Sequence, residues 1–423
     1  MPSRHLPAEL LDHIVDLLYD SDDTLKSCCL VSKLWIPRAR KHLFADIKIF
    51  EAEDLESWKS TFPDPFNSPA HYTTVLFVKY PLAVTAVDAG EGGWISAFAR
   101  VVQFEVDAND TDPGWSGACF VPFYGFSPAV KSLRLSFHTF PPSQTFNLIQ
   151  SFPLLEDLSV TSFDRSIDRN RGFDERSIAA QPSIPPAFTG SLKLDLWAGT
   201  DFMASRLLSP PGGLRFRRLH LILNDQEDVL PVTALVEGWR FTLEYLKVVY
   251  DLYGVFVCYC VHADDLSTFV GIQPSELIDL SQATQLKDVE FVCEVDPQWV
   301  SPALQTVTPN HRNLQRVLIT VSDVLYCLRL CHSTSPAHVT SAIGESIYRG
   351  WLELDRVLAR LRESHSVCLE ITYEVPSWMD GTRARGFMGS LFPELTVRGF
   401  VRPIERRSGL EVRDVDTGIP DAE

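Results

Sequence analysis

The sequence predicts an α/β chain in which a short helical segment precedes one long repeat domain. Apolar residues at helical spacing fill the first 46 residues, and a short apolar pattern then recurs along the rest of the chain. The composition, with 45% hydrophobic and 22% charged residues in 423, is typical of a globular protein with a large core.

The charge balance excludes several classes of partner as first expectations. The chain has 55 acidic and 38 basic residues, a formal net charge of -17, which is opposite in sign to what a phosphate-backbone binder needs. No apolar run approaches the roughly 18 to 20 residues of a spanning helix, and the first residues lack the apolar stretch of a signal peptide. We expect no nucleic-acid or membrane partner, and a location in the cytoplasm, the nucleus or both.

The helical segment contains three short helices by its spacing. Residues 7–18 form the first, a YDSDDT break supplies capping groups, and two further apolar series follow. Three such helices bury little apolar surface by themselves, so we expect a partner to cover part of it. The apolar positions are Leu10, Leu11, Ile14, Val15 and Leu18, then Leu25, Cys28, Cys29 and Val31, then Trp35, Ala39 and Leu43.

A continuous motif runs through these helices. It reads Leu6-Pro7-x-Glu9-Leu10-Leu11-x-x-Ile14-x-x-x-Leu18, then Leu25, then Leu30-Val31-Ser32-Lys33-x-Trp35-x-x-x-Ala39-Arg40-x-x-Leu43-Phe44. Over about 40 residues this order closely resembles the F-box motif. The resemblance implies three helices that interlock with a Skp-type adaptor, which in turn joins the cullin and RING subunits of an SCF ubiquitin ligase.

The resemblance also implies which residues contact the adaptor or support that contact. One position departs from the pattern: Pro37 would remove a backbone donor from a helix running on from Ser32, so we expect the third helix to start or kink there. The implied adaptor residues are Leu6, Pro7, Leu10, Leu11, Ile14, Leu18, Leu25, Val31 and Trp35.

Beyond residue 46 the pattern apolar-x-x-apolar-x-apolar recurs. Seven of the ten intervals between its anchor residues are 25 to 29 residues long, which is the period of leucine-rich repeats. Each copy predicts a short strand, and helical spacing at 143–153, 231–240 and 298–307 predicts crossover helices between strands. The anchors are Val75, Phe104, Leu133, Leu158, Leu194, Leu219, Leu246, Val289, Val317, Leu369 and Leu395.

The predicted fold is therefore a three-helix F-box followed by an irregular leucine-rich-repeat-like solenoid, with a parallel sheet on its concave side. The alternative is an unrelated α/β domain of about ten strands. Apolar residues at 343, 347, 351, 354, 358 and 361 predict the longest amphipathic helix, on the convex side. The expected domains are 1–46 for the F-box, 47–403 for the repeats and 404–423 for a polar, disordered tail.

The search for catalytic chemistry finds no motif. The GWSGA stretch lacks the last glycine of a nucleophile elbow, and no phosphate-binding or H-E-x-x-H motif occurs. The C-x-C-x-H stretch at Cys258, Cys260 and His262, and the group Cys327, Cys331 and His332, lack the spacing of a zinc site and predict buried thiols. We expect no enzyme activity, no cofactor and no metal.

These expectations combine into one function. The chain is predicted to be a substrate-receptor subunit of an SCF-type ubiquitin ligase, whose repeat domain binds an unknown target protein. The alternative is a repeat scaffold or structural interaction protein without a role in ubiquitin transfer. The expected target-binding residues point outward from the strands: Lys131, Arg134, Lys193, Asp195, Arg218, His220, Lys247 and Glu290.

Overall fold

The chain consists of two compact units, Met1–Phe216 and Arg217–Glu423, and within each unit the strands pair in parallel. The computed structural model describes residues 7–79, 93–108, 120, 122–137, 142–162, 190–196, 200–208, 216–223, 229–250, 278–293, 297–322, 338–376, 381–398 and 404–408.

Three helices occupy the N-terminal segment, which we call the helical module: α1 (Ala8–Asp16), α2 (Asp22–Val31) and α3 (Ile36–Leu43). Pro37 lies in the first turn of α3, so it starts this helix, as predicted, at a position where a backbone donor is not needed. The module has a small core of its own, formed by Val15, Leu25, Cys28 and Ala39 with Leu18, Cys29, Trp35 and Leu43 packed around it.

The sheet of the first unit follows directly on the helical module. Each strand pairs in parallel with the next strand in the chain. Its strands are β1 (Asp46–Ile49), β2 (Val75–Val78), β3 (Gln103–Ala108), β4 (Ser132–Phe137), β5 (Asp157–Ser162) and β6 (Ser191–Leu196). Its further helices are α4 (Ala52–Thr61), α5 (Pro142–Gln150) and α6 (Thr200–Leu208), with single-turn helices at Pro65–Asn67, Pro69–Tyr72 and Trp94–Phe98.

The second unit repeats this arrangement, again with every strand parallel to its predecessor. Its strands are β7 (Arg218–Leu223), β8 (Tyr245–Tyr250), β9 (Asp288–Cys293), β10 (Arg316–Val321), β11 (Cys368–Pro376) and β12 (Ile404–Ser408). Its helices are α7 (Val229–Trp239), α8 (Val300–Gln305), α9 (His338–Ser364), α10 (Gly381–Leu391) and α11 (Pro393–Val397).

The sequential strand order distinguishes the two folds that the sequence left open. A doubly wound α/β sheet reverses its strand order at a switch point, whereas in each of these units the order is that of the chain. Burial alternates along most strands, so one face of each sheet carries the core and the other points outward. This arrangement is that of a stacked repeat, with the predicted crossover helices present as α5, α7 and α8.

Most of the predicted anchors occupy one buried row within each unit. In the second unit Leu219, Leu246, Val289, Val317 and Leu369 are aligned by the strand pairing. Aromatic side chains strengthen the row in the first unit, where the buried Phe104 ring lies 5.2 Å from Phe123 and 5.0 Å from Phe126.

Three anchors were assigned wrongly. Leu76, not Val75, pairs with Phe104, because the strand VLFV is apolar throughout and offers no alternation to fix its face. Leu192, not Leu194, pairs with Leu158; a two-residue shift keeps a side chain on the same face. Leu395 lies in helix α11, which the preceding Pro393 starts.

The two ends of the repeat region also differ from the prediction. Strand β1, which begins at Asp46, was not predicted. Residues 404–408, predicted as the start of a polar tail, form strand β12 and pair with β11. A short polar strand lacks the apolar alternation from which the other strands were predicted. It is held in the sheet by backbone hydrogen bonds to the neighbouring strand. The rest of the predicted tail lies outside the described residues.

Helix α9 is the longest helix in the described part of the chain. Its predicted apolar positions Ile347, Trp351, Leu354, Leu358 and Leu361 are buried. Asp355 on the same helix is also buried, and its carboxylate accepts hydrogen bonds from the backbone N–H groups of Glu394 (2.7 Å) and Leu395 (3.1 Å) in the first turn of α11. Burial raises the pKa of Asp355, and these two bonds oppose that shift.

Candidate protein-binding surfaces

Helix α1 carries a stripe of exposed apolar side chains, which we call the α1 patch. Leu10, Ile14 and Leu17 are 50%, 41% and 67% exposed and follow one another at i, i+4 and i+7, on one face of the helix. Val15 on the same helix is fully buried in the core of the module. The helix therefore has two apolar faces, and within the described part of the chain only the face with Val15 is covered.

A second exposed group, the α2 patch, lies at the end of α2 and in the turn that follows. Leu30, Val31 and Leu34 are 89%, 70% and 72% exposed. Of fourteen large hydrophobic residues that are exposed in the described part of the chain, seven lie between residues 10 and 34. Single exposed apolar residues are ordinary, but such a concentration in one small module is typical of an interaction surface.

An ionic cluster fixes α1 against α3. The Arg38 guanidinium donates to both Asp16 oxygens, at 2.5 Å each, and His42 Nε2 lies 2.7 Å from Asp16 Oδ1. These hydrogen bonds hold the pKa of Asp16 well below its usual value, and the carboxylate raises the pKa of Arg38. The cluster therefore holds the helix that presents the α1 patch in a fixed orientation.

An aromatic junction joins the module to the repeats. Phe44, the last residue of the motif, packs edge-on against Trp58 (5.8 Å) and Phe62 (6.0 Å) of the α4 region. Trp58 in turn lies 6.0 Å from Phe98, which precedes β3. The end of the motif is thus part of the hydrophobic packing of the first unit.

The structure sorts the predicted adaptor residues by exposure. Leu25 is fully buried and can only support a contact, and Leu6 lies outside the described residues. The motif-based prediction omitted Leu17, Leu30 and Leu34, although the i, i+4, i+7 spacing from Leu10 would have found Leu17. The exposed predicted residues are Pro7, Leu10, Ile14 and Val31, and the partly buried ones are Leu11, Leu18 and Trp35.

The outward sheet face of the first unit brings two predicted target-binding residues into one row. Arg134 is exposed on β4 and Lys193 is partly exposed on β6, with Ser159 of β5 between them. Two strand spacings separate the backbone positions of these two residues by about 10 Å. Lys131 precedes β4 and forms an ion pair with Glu156 at 3.0 Å, and Asp195 lies in the adjacent row beside Thr161.

In the second unit the outward residues bind mainly one another. Lys247 and Glu290 are directly opposite in register and form an ion pair at 3.1 Å. Glu290 also accepts a hydrogen bond from the Tyr245 hydroxyl at 2.8 Å, and burial together with this carboxylate raises the pKa of Tyr245. Arg218 is exposed and His220 half-buried in the neighbouring strand. Two of the four predicted target contacts here are thus used within the sheet.

Neither a metal centre nor a membrane span is found among the residues that the structure describes. No three His, Cys, Asp or Glu side chains there form a group able to hold a metal ion. The candidate groups at Cys258–His262 and Cys327–His332 lie outside the described residues. In the same part of the chain, no helix combines the length and the apolar character needed to cross a bilayer.

Comparison with protein-family models and with curated proteins found no match. Among solved structures, the chain is similar to the leucine-rich repeat-containing protein LegL7 from Legionella pneumophila. The identity is 14%, the alignment covers 78% of this chain and 95% of that one, and the TM-score is 0.38. The assignment of the repeat fold rests on the strand order and the buried rows described above.

Proposed function

We propose that the chain is a substrate-receptor subunit of an SCF-type ubiquitin ligase. The observation that carries the proposal is the helical module, whose residues spell an F-box-like motif and whose folded form leaves the α1 and α2 patches exposed. A Skp-type adaptor is the partner that covers these patches, and through it the cullin and RING subunits are recruited. The complex belongs in the cytoplasm, the nucleus or both.

In this proposal the chain is not an enzyme and requires no cofactor. The repeat units bind the target protein through their outward surfaces, and other subunits transfer ubiquitin. The contribution of the chain is proximity, because holding the target beside the ligase raises the effective concentration of its lysines at another protein's active site.

Adaptor capture by the full chain tests the proposal. Ile14→Asp places a charge in the middle of the α1 patch and is expected to reduce capture of a purified Skp-type adaptor at least about 100-fold, because the new carboxylate would be desolvated in the interface. The matched control is Leu230→Asp in α7, an exposed leucine outside the module, which is expected to leave capture unchanged. Equal capture by wild type and Ile14→Asp, with circular dichroism unchanged, would contradict the proposal.

The alternative, a scaffold without a role in ubiquitin transfer, requires a second experiment. Ile14→Asp disables docking but leaves the repeats intact, so affinity purification with this variant should retain the target while preventing its turnover. The captured protein is then incubated with adaptor, cullin and RING subunit together with either the wild-type chain or Ile14→Asp. Ubiquitin transfer to it with the wild-type chain alone supports the ligase function. A captured protein that gains none under these conditions supports the scaffold.

A further inference from the structure

A cleft of about 550 Å³ opens in the second unit where β10 and β11 begin. One wall is the segment that precedes β10, and the other is the end of α9 with the turn that leads into β11. Polar residues make up part of its lining, among them Arg312, Arg362, Gln315, Ser364 and Ser366. None of the described residues that line it is Asp or Glu, whereas Arg312 and Arg362 are basic, so the charge of this described lining is opposite to the net charge of the chain.

Two histidines fix the shape of this cleft, and one of them joins its walls. His365 Nε2 donates to the carbonyl oxygen of Thr308 at 3.0 Å, which ties the end of α9 to the segment before β10. His311 Nε2 donates to the carbonyl oxygen of Leu280 at 2.8 Å, and its Nδ1 accepts from the Thr308 N–H at 3.1 Å. The shape of the cleft is therefore set before any ligand enters, which lowers the cost of binding.

Two carboxylates that neighbour this region, one in sequence and one in strand register, are engaged elsewhere. Glu363 pairs with Arg398, and Asp288 pairs with Arg316 at 3.2 Å. Glu370 lies at the rim, with Oε1 3.8 Å from Cys368 Sγ. Arg312 is exposed and has no hydrogen bond or ion pair to any described residue, so its guanidinium is available to a ligand.

We propose that this cleft binds an acidic peptide segment of the target protein, with Arg312 as its anion-binding group. The inference rests on the proposed function, to which it adds the chemistry of the target. A guanidinium binds carboxylate or phosphoryl oxygens through two parallel hydrogen bonds, so the charge of the segment can come from either group. The net charge of -17 repels long polyanions, whereas a local basic cleft accepts one short segment.

Peptide binding to the purified full chain, measured by fluorescence anisotropy without any adaptor, tests this inference. The probes are three labelled ten-residue peptides of alternating Glu-Ser, phosphoserine-Gln and Gln-Ser. At least one acidic probe should bind about tenfold more tightly than the neutral Gln-Ser probe, and the tighter acidic probe identifies the source of the charge. Added NaCl should weaken acidic binding, since it screens exposed charges.

Charge-removing variants then locate the site. Arg312→Gln should weaken binding of the acidic probe about tenfold. The matched control, Arg349→Gln on α9, removes an exposed guanidinium that pairs with Glu345 away from the cleft and should leave binding unchanged. Because Arg312 makes no bonds to described residues, its variant is expected to remain folded, which circular dichroism checks.

Three results would overturn the inference: no binding of either acidic probe, equal binding of acidic and neutral probes, or acidic binding unchanged by Arg312→Gln in a folded protein. None of them bears on adaptor capture, which is measured separately and depends on the helical module. Failure of this inference and failure of the proposed function are therefore distinguishable.

Discussion

The helical module and the repeat sheets use their apolar and charged residues in opposite ways. In the module, large apolar side chains remain outside and an ionic cluster lies between helices. In the sheets, apolar rows fill one face, and on the outward face of the second unit Lys247 and Glu290 pair with each other. The comparison shows that overall composition says little about where a protein binds its partners. The exposure of particular side chains distinguishes a surface whose apolar groups are uncovered from one whose groups already pair within the chain.

The largest expected effect on stability lies in the repeat core. Phe104→Ala removes a fully buried ring with aromatic neighbours and is expected to lower the free energy of unfolding by about 3 to 5 kcal/mol. Urea denaturation followed by circular dichroism measures the change. Phe66→Ala, at a phenylalanine 73% exposed, is the control and should change stability little. Similar losses for both variants would show that Phe104 is not a core residue.

A smaller loss is expected at the buried carboxylate of α9. Asp355→Ala leaves the N–H groups of Glu394 and Leu395 without their acceptor, which should cost about 2 to 3 kcal/mol. Asp355→Asn keeps one acceptor oxygen and should cost less. Hydrogen exchange at the two amides measures the effect locally, and unchanged protection in Asp355→Ala would contradict it.

The ionic cluster of the module should contribute less, because Asp16 is about a third exposed and solvent screens its charge. Asp16→Asn is expected to lower stability by about 1 kcal/mol near neutral pH. The folded-state pKa of Asp16 is lowered, so its contribution is present above the ordinary value of 3.8 and declines as the pH falls below it.

Thermal unfolding at several pH values checks this prediction. The difference between wild type and Asp16→Asn should shrink in acid. Asp23→Asn, at an exposed carboxylate on α2, is the control and should show little difference at any pH. A difference between wild type and Asp16→Asn that grows in acid would contradict the assigned role.

The smallest effect on stability is expected at the α2 patch, where the effect on binding should be large. Leu30→Ser changes a side chain that is 89% exposed, so stability should stay within about 0.5 kcal/mol while adaptor capture falls about tenfold. Leu25→Ser, in the fully buried core of the module, should instead destabilise the module itself. Circular dichroism and thermal unfolding distinguish the two effects. If Leu30→Ser lost adaptor capture only because it unfolds, as Leu25→Ser is expected to, the assignment of Leu30 to a binding patch would be wrong.

The repeat architecture can be predicted from the sequence because each repeat carries its own short apolar pattern and the same pattern recurs many times. The strands around Leu219, Leu246 and Val289 each carry their own alternation of burial, and the common register follows from stacking. Where local signals are ambiguous the prediction fails, as at the continuously apolar β2, where Val75 was chosen in place of Leu76. Strand β12 was missed because its order comes from pairing with β11 and not from its own side chains.

The candidate site was predictable only in part. A motif can indicate that Leu10 and Ile14 belong to a binding module, but their exposure depends on how three helices pack. The contact between Asp16 and Arg38 joins residues 22 positions apart, and the pairing of Lys247 with Glu290 joins residues of successive strands. The cleft at Arg312 and Arg362 is likewise formed by segments distant in sequence.

The aromatic junction has a consequence for how the protein can be divided. Phe44 ends the motif, yet its ring packs with Trp58 and Phe62, and Trp58 reaches Phe98. A fragment cut after residue 46 would strip Phe44 of these neighbours. The smallest portable piece therefore extends through Phe98, and grafting the module onto another protein requires the first repeat to be transferred with it.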